Sequence, residues 1–133
     1  MVARATEANS VNGRLRKSYT VASGQTVYQG QGVVATTETT ASPSSGATSL
    51  SIGVAAETED GTWPATAGDV ISVALLGSPE IVKVQVGTGG TATAGAFAIP
   101  GTIGCTNGTV GGGTGVAIIL GQFIDSGTAV DLV

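Results

Sequence analysis

The side chains that most enzymes use for nucleophilic, acid–base or metal chemistry are sparse in this sequence. Histidine is absent and Cys105 is the only cysteine. This composition excludes Ser-His-Asp and Cys-His nucleophile systems and the usual zinc sites. Without a histidine partner the thiol has no activating base, so we predict that Cys105 is a small buried apolar residue. The sequence therefore predicts no catalytic or metal-binding residues and a protein that is not an enzyme.

Two further patterns resemble ligand sites but lack their context. The acidic run at residues 57–61 (ETEDG) lacks the ligand spacing and the closing Glu of a calcium loop, so we interpret it as a solvated loop. Gly30-x-Gly32-x-x-Ala35 matches a loose dinucleotide fingerprint. That motif needs a following helix, which residues 36–45 (TTETTASPSS) cannot supply. No cofactor is predicted.

Charge divides the chain into a basic beginning and an acidic remainder. The basic side chains of residues 1–17 are Arg4, Arg14, Arg16 and Lys17. With Glu7 they give this segment a net charge of +3, whereas residues 18–133 carry eight acids against Lys83, a net charge of −7. Such asymmetry is typical of an arm that contacts another surface. The alternative is a solvated tail beside a polar strand face. Nucleic acid is not predicted as a partner, because the acidic remainder would repel phosphate.

The elements that would position these side chains are β-strands. After residue 13 no ten-residue stretch has a period of 3.6, and short apolar runs alternate with turn residues. We predict that residues 1–13 form an extended arm and residues 14–133 form a single domain of 8–10 short strands. Only 4% of residues are aromatic, so the core must consist of Val, Ile, Leu and Ala. The predicted fold class is all-β, a small β-barrel or sandwich with an extended N-terminal arm.

Several segments have specific expectations. Residues 14–21 and 80–86 alternate between apolar and polar side chains, as half-buried strands do. Residues 69–76 are apolar on both faces, which predicts a central buried strand. We expect residues 36–49 to form a polar loop, and Asn107-Gly108 to form a hairpin turn.

One phrase occurs twice in the chain. The first copy joins residues 52–55 (IGVA) to residues 68–75 (GDVISVAL), and the second joins residues 115–120 (GVAIIL) to residues 127–132 (GTAVDL). Glycines of the first half match glycines of the second at a falling offset. The offset is 65 positions for the pairs Gly24/Gly89 and Gly30/Gly95, 62 for Gly53/Gly115 and 59 for Gly68/Gly127. We predict two related β-halves that close on each other as one small barrel or sandwich.

Trp63 is the candidate contact residue outside the arm. It precedes Pro64 in a polar loop, and tryptophan is enriched among the residues that dominate binding interfaces. The alternative is that Trp63 caps one end of the barrel. No membrane association is predicted, since the apolar run at residues 116–120 is far too short to span a bilayer.

These modules resemble the small capsid decoration (cement) proteins of tailed bacteriophages. The resemblance covers most of residues 19–133. It is carried by Ile52-Gly53-Val54-Ala55, Ala67-Gly68-Asp69-Val70-Ile71-Ser72-Val73, Val84-Gln85-Val86, Thr93-Ala94-Gly95 and the closing residues 127–133. It implies a β-barrel without enzymatic activity that is made in the host cytoplasm and binds the outer capsid surface of the virion. It also implies a homotrimer that bridges major capsid protein subunits and so stabilises the shell.

We accordingly expect capsid contacts from Arg4, Arg14, Arg16, Lys17 and Trp63. The alternative function is a phage head-fibre or adhesin-type module that recognises surface carbohydrate. Its site would involve Trp63 or Tyr28.

Overall fold

The computed structural model describes residues 15–46, 49–77, 81–101, 104–108, 120–128 and 132. The described strands are β1 Arg16–Val21, β2 Thr26–Val27, β3 Gly32–Ala35, β4 Thr40–Pro43, β5 Gly53–Thr58, β6 Ala65–Thr66, β7 Val70–Leu75, β8 Thr91–Ala92, β9 Phe97–Gly101, β10 Gly104–Gly108, β11 Gly121–Gln122 and β12 Gly127–Thr128. No helix occurs in these ranges. The predicted all-β class is confirmed, while the predicted arm at residues 1–13 lies outside the described residues.

Five strands of the first half close into a barrel in the order β1-β4-β3-β5-β7. The β1–β4 pair is parallel and the other neighbours are antiparallel. β7 closes the barrel because it pairs with β1 on one side and with β5 on the other. The predicted strand at residues 69–76 is present as Val70–Leu75, and it is central because it has a neighbour at each edge. Its burial is only partial: Ile71, Val73 and Ala74 are buried, whereas Asp69 and Leu76 are exposed.

The barrel core is formed by the side chains that alternate inward along the strands. Tyr19 and Val21 of β1 point inward, and they meet Val33 of β3 and Ile71 and Val73 of β7, which are fully buried. β-branched side chains suit this role because their stiff rotamers pack well on a pleated surface. Burying each such side chain stabilises the fold by about 1.5–3 kcal/mol before entropy costs.

The second half builds a separate core. Its buried side chains are Val86, Ala92, Ala98, Cys105 and Phe123. Ala98 and Cys105 lie on a three-stranded sheet in the order β10-β9-β11, and Ala92 lies on the two-stranded pair β12-β8. Val86 forms an isolated bridge with Cys105, and Phe123 follows β11. The prediction that the two halves close on each other as one barrel is wrong, because the first half closes alone and each half buries its own apolar side chains.

Equivalent hydrogen bonds confirm that the halves repeat one topology. The N–H of Ala22 donates to the carbonyl of Ala41 at 2.9 Å, and that of Gly87 donates to the carbonyl of Cys105 at 2.8 Å. Two further pairs of hydrogen bonds match, and all four bonds are 2.8 Å long. The bond from Gly30 N–H to Ala55 O corresponds to that from Gly95 N–H to Phe123 O. The bond from Ile52 N–H to Val33 O corresponds to that from Leu120 N–H to Ala98 O. The β2–β6 pair likewise has its counterpart in the β8–β12 pair.

These pairings keep the predicted offset of 65 positions for the first part of the repeat and correct the later offsets. Gly53 pairs with Val33, and Gly121 pairs with Ala98, so Gly53 corresponds to Gly121, 68 positions on. The matching of Gly53 with Gly115 is therefore wrong. Gly127 corresponds to Ala65 rather than to Gly68. Both wrong matches arose because glycine is frequent in this sequence. The true offset changes along the repeat because the loops of the two halves differ in length.

Three further expectations fail. Residues 36–49 contain β4, which is held between β1 and β3 despite its loop-like composition. Asn107-Gly108 continues β10, where each residue pairs with β9, instead of forming a turn. Of the predicted strand at residues 80–86, residues 81–86 are described; among them only Gln85 and Val86 pair, as isolated bridges, and residues 81–84 lie outside any strand.

No helix in the described part of the chain is long and apolar enough to cross a membrane.

Candidate functional site

The predicted contact residues on β1 are engaged within the barrel to different degrees. Arg16 Nη1 lies 3.2 Å from Glu57 Oε1 of β5, and the arginine side chain is only 17% exposed. Lys17 is exposed, with its Nζ 4.8 Å from the ring centroid of Tyr19. Arg4 and Arg14 lie outside the described residues. Of the predicted cations, β1 therefore offers the side chain of Lys17 to a partner more openly than that of Arg16.

Trp63 lies on a different element, the loop between β5 and β6. Its side chain is half-buried and packs against the core of the first barrel. This position favours the interpretation of Trp63 as a cap on the barrel core. Only part of the indole ring remains for contact with a partner.

The acidic loop uses its carboxylates to shape turns. Asp60 Oδ1 accepts the N–H of Thr62 at 2.9 Å, and Asp69 Oδ2 accepts the N–H of Thr66 at 2.8 Å. Together with Glu59, these carboxylates line a shallow depression of about 200 Å³. Among the described residues there is no group of three or more side chains arranged to hold a metal ion. Residues 59–61 form an exposed loop, as predicted, whereas Glu57 and Thr58 of the predicted loop belong to β5.

Cys105 is fully buried in the core of the second half, as predicted. Desolvation by burial raises the pKa of its thiol to about 12, and a backbone hydrogen bond from Gly32 opposes that rise. The thiol stays protonated at neutral pH and donates a weak hydrogen bond to the carbonyl of Gly30, 3.7 Å away. It cannot serve as a nucleophile in this state.

The same carbonyl ties the two halves together. Gly30 O also accepts the N–H of Gln85 at 3.2 Å, so two donors of the second half converge on one turn of the first. The approach is close: a Cβ on Gly30 would lie 2.6 Å from the Cα of Val84. Gly95, which corresponds to Gly30, has nothing within 4 Å of an added Cβ. This turn of the first half is therefore an internal contact, and its counterpart faces solvent.

An apolar groove of about 460 Å³ is present in the second half of the described structure. It runs between residues 81–84 and residues 120–125, and Val54 of the first half reaches its lining. Ile81 is 84% exposed and Ile124 is 62% exposed. Isolated exposed apolar residues are ordinary, but a groove rimmed by them is typical of a binding surface.

Sequence reasoning missed this groove. The repeat was the sequence feature that could have revealed it, since residues that line the groove correspond to residues of β1 and β5 in the first half, which pair with β7. The sequence analysis matched Gly53 with Gly115 and Gly68 with Gly127, and these wrong offsets do not show which residues correspond to β5.

Comparisons of the chain with protein-family models, with curated proteins and with solved structures find no significant match.

Proposed function

We propose that this chain is a structural virion protein of the capsid decoration (cement) class. It binds the outer surface of an assembled tailed-phage capsid and stabilises the shell by bridging major capsid protein subunits. The sequence resemblance supports the proposal, and part of its modules falls on the repeated scaffold. Residues 53–55 belong to β5, residues 70–73 to β7, and Gln85 and Val86 to the counterpart of β1.

The observation that carries the proposal is the repeat of one β-topology within a single chain. Two related units present related surfaces twice, and a shell displays identical subunits side by side. A chain of this kind can hold two neighbouring subunits at once, so that the second contact forms at a high effective concentration. Binding only to the assembled shell then stabilises the shell by mass action.

Charge gives residues 1–17 their role, since this segment has a net charge of +3, although residues 1–13 alone hold one Arg and one Glu. The acidic body leaves the cations near the N-terminus as the groups that attract an acidic shell. Because Arg16 is paired with Glu57, we assign this role to Arg4, Arg14 and the exposed Lys17. Individual surface ion pairs contribute only about 0–1 kcal/mol. A homotrimer with three arms gains affinity through avidity.

The carbohydrate-binding alternative has less support, because Trp63 packs against the barrel core and presents only part of its ring. The proposal includes no catalytic step, no cofactor and no nucleic-acid partner.

The test is co-sedimentation with expanded capsids assembled from the major capsid protein of the phage genome that encodes this chain. We expect the full chain to saturate the shells, and a chain that lacks residues 1–13 to stay folded but bind more weakly. The double variant Arg4→Ala/Arg14→Ala should weaken binding similarly, whereas the control Lys83→Ala should not. Analytical ultracentrifugation of the free protein tests the trimer.

Failure of the full chain to bind any such shell contradicts the proposal. Full decoration by the chain without residues 1–13 contradicts the role of the arm alone. Retention on a glycan array, lost in Trp63→Ala, favours the adhesin alternative.

A further inference from the structure

The two halves of the chain meet at the carbonyl group of Gly30, in the turn between β2 and β3. This carbonyl accepts the N–H of Gln85 at 3.2 Å and the thiol of Cys105 at 3.7 Å. The first bond is at the long end of the range for N–H donors, and the second comes from a weak donor. The hydrogen bonds that join the halves at this turn are therefore weak.

The repeat shows that Gln85 takes its acceptor from the other half. At the offset of 65 positions Gln85 corresponds to Thr20, whose N–H donates to Thr39 O at 2.8 Å within the first half. The N–H of Gln85 donates across to Gly30 O instead. The first half thus satisfies its own backbone at this position, whereas the second half uses an acceptor of the first.

Closure leaves the barrel without an open strand edge. Each of its five strands has a hydrogen-bonded neighbour on both sides. A closed sheet offers no edge to which a further strand can pair. The second half is therefore not a member of the barrel sheet, and its departure breaks none of the strand pairings that close the barrel.

Apolar packing between the halves lies outside the barrel core. Val54 of β5 is buried but does not belong to that core, and it lines the groove of the second half together with Val84 and Leu120. Leu120 also reaches the barrel at Gly32, where an added Cβ would lie 3.2 Å from its Cδ1. Separation of the halves thus uncovers Val54 and leaves the barrel core covered.

We infer that the second half is a separable module, which undocks from the barrel at the Gly30 carbonyl while each half keeps its own strand pairings. Undocking breaks the bond from Gln85 to Gly30 and gives solvent access to the Cys105 thiol. The bond from Gly30 N–H to Ala55 O, 2.8 Å long, remains inside the barrel. The bond from Cys105 N–H to Gln85 O, 2.7 Å long, remains inside the second half. Such a sub-global opening requires less free energy than global unfolding.

This inference goes beyond the proposed function, because it concerns the free protein and does not depend on capsid binding. The test is amide hydrogen exchange of the full-length protein under native conditions, followed by NMR. Three N–H groups are compared: Gly30 for the barrel, Cys105 for the second half and Gln85 for the contact between them. We expect the protection factor of Gln85 to be at least about tenfold lower than those of the other two. The Cys105 thiol should react with a thiol reagent through the same opening as Gln85 exchange.

A matched pair of variants locates the contact. Val54→Ala and Val33→Ala remove the same atoms from a buried valine, outside the barrel core in the first case and inside it in the second. Val54→Ala should increase the exchange of Gln85 and the reaction of the thiol about tenfold, the effect of losing the burial of two carbon atoms. Val33→Ala should lower the urea midpoint measured by Trp63 fluorescence and leave native exchange of Gln85 within about twofold of the wild type.

Three results overturn the inference. Equal protection of the three N–H groups means that they exchange through one global opening. Equally low protection of Gln85 and Cys105 means that the second half unfolds instead of undocking. An equal increase of Gln85 exchange in the two variants means that Val54 does not hold the halves together.

The comparison of the three N–H groups uses the wild type, so it decides the inference whether or not either variant folds. Capsid co-sedimentation is a separate measurement, so failure here leaves the capsid proposal standing.

Discussion

Replacing Gly30 with alanine tests how the two halves of the chain are joined. Gly30 has a φ of +77°, and its counterpart Gly95 has a φ of +89°. At either position alanine costs about 1–2 kcal/mol, because the left-handed conformation brings Cβ close to a carbonyl oxygen. The two sites differ in their surroundings, since an added Cβ meets the backbone of Val84 and Gln85 at Gly30 and nothing at Gly95.

The close approach at Gly30 adds a second cost. Backbone atoms cannot move aside as a flexible side chain does, so the halves must separate locally. Separation lengthens the hydrogen bonds from Gln85 N–H and the Cys105 thiol to Gly30 O. Loss of a buried hydrogen bond of this kind costs about 1–1.5 kcal/mol. We therefore expect Gly30→Ala to destabilise the protein by about 3 kcal/mol or more, and Gly95→Ala by about 1–2 kcal/mol.

Urea unfolding followed through Trp63, the only tryptophan, measures both values. Because that probe reports the first half, the reaction of Cys105 with a thiol reagent serves as a second readout for the contact. Gly30→Ala should increase this reactivity under native conditions, and Gly95→Ala should not. Equal destabilisation by the two variants, with Cys105 equally protected in both, would refute the reasoning.

Two further predictions concern charge. Burial raises the pKa of Cys105 from 9.0 to about 12; its contribution to stability is thus fully present below pH 9 and is lost as the pH rises from about 9 to about 12. Between pH 9 and pH 12 the free energy of unfolding, measured by denaturation, should fall less steeply with pH in Cys105→Ala than in the wild type. Identical slopes would contradict burial of the thiol as the cause. The Arg16–Glu57 pair is partly exposed, with 63% of the Glu57 side chain accessible, so a double-mutant cycle with alanine should give a coupling of at most about 1 kcal/mol that falls with added salt. A coupling well above that value at high salt would show that the pair is more shielded than its exposure indicates.

Local pattern predicted β1 and β7, whose sequences alternate or are mostly apolar. β1 alternates and buries Tyr19 and Val21, and β7, apolar except for Ser72, buries Ile71 and Val73. Cys105 was predictable as a buried residue from the absence of any partner for its chemistry. These features depend on side chains close in sequence and on the period of the strand.

Other features depend on contacts between residues that are distant in sequence, and the local pattern did not predict them. β4 has the composition of a loop and becomes a strand because β1 and β3 hold it at both edges. Asn107 and Gly108 have turn chemistry, yet β9 pairs with them residue by residue. Arg16 was predicted as a contact for a partner, and Glu57, 41 positions later in the sequence, engages it within the barrel.

The sequence by itself determined that the chain is all-β, that its body is acidic and that its two halves are related. Tertiary structure alone decided how the strands pair: those of the first half close into a barrel completed by β7, and the described strands of the second half form two small sheets. The physical reason is that closure depends on which strands become neighbours and on the loop lengths that let them meet. A period of two along the chain fixes which face a side chain occupies and carries no record of which strand lies beside it.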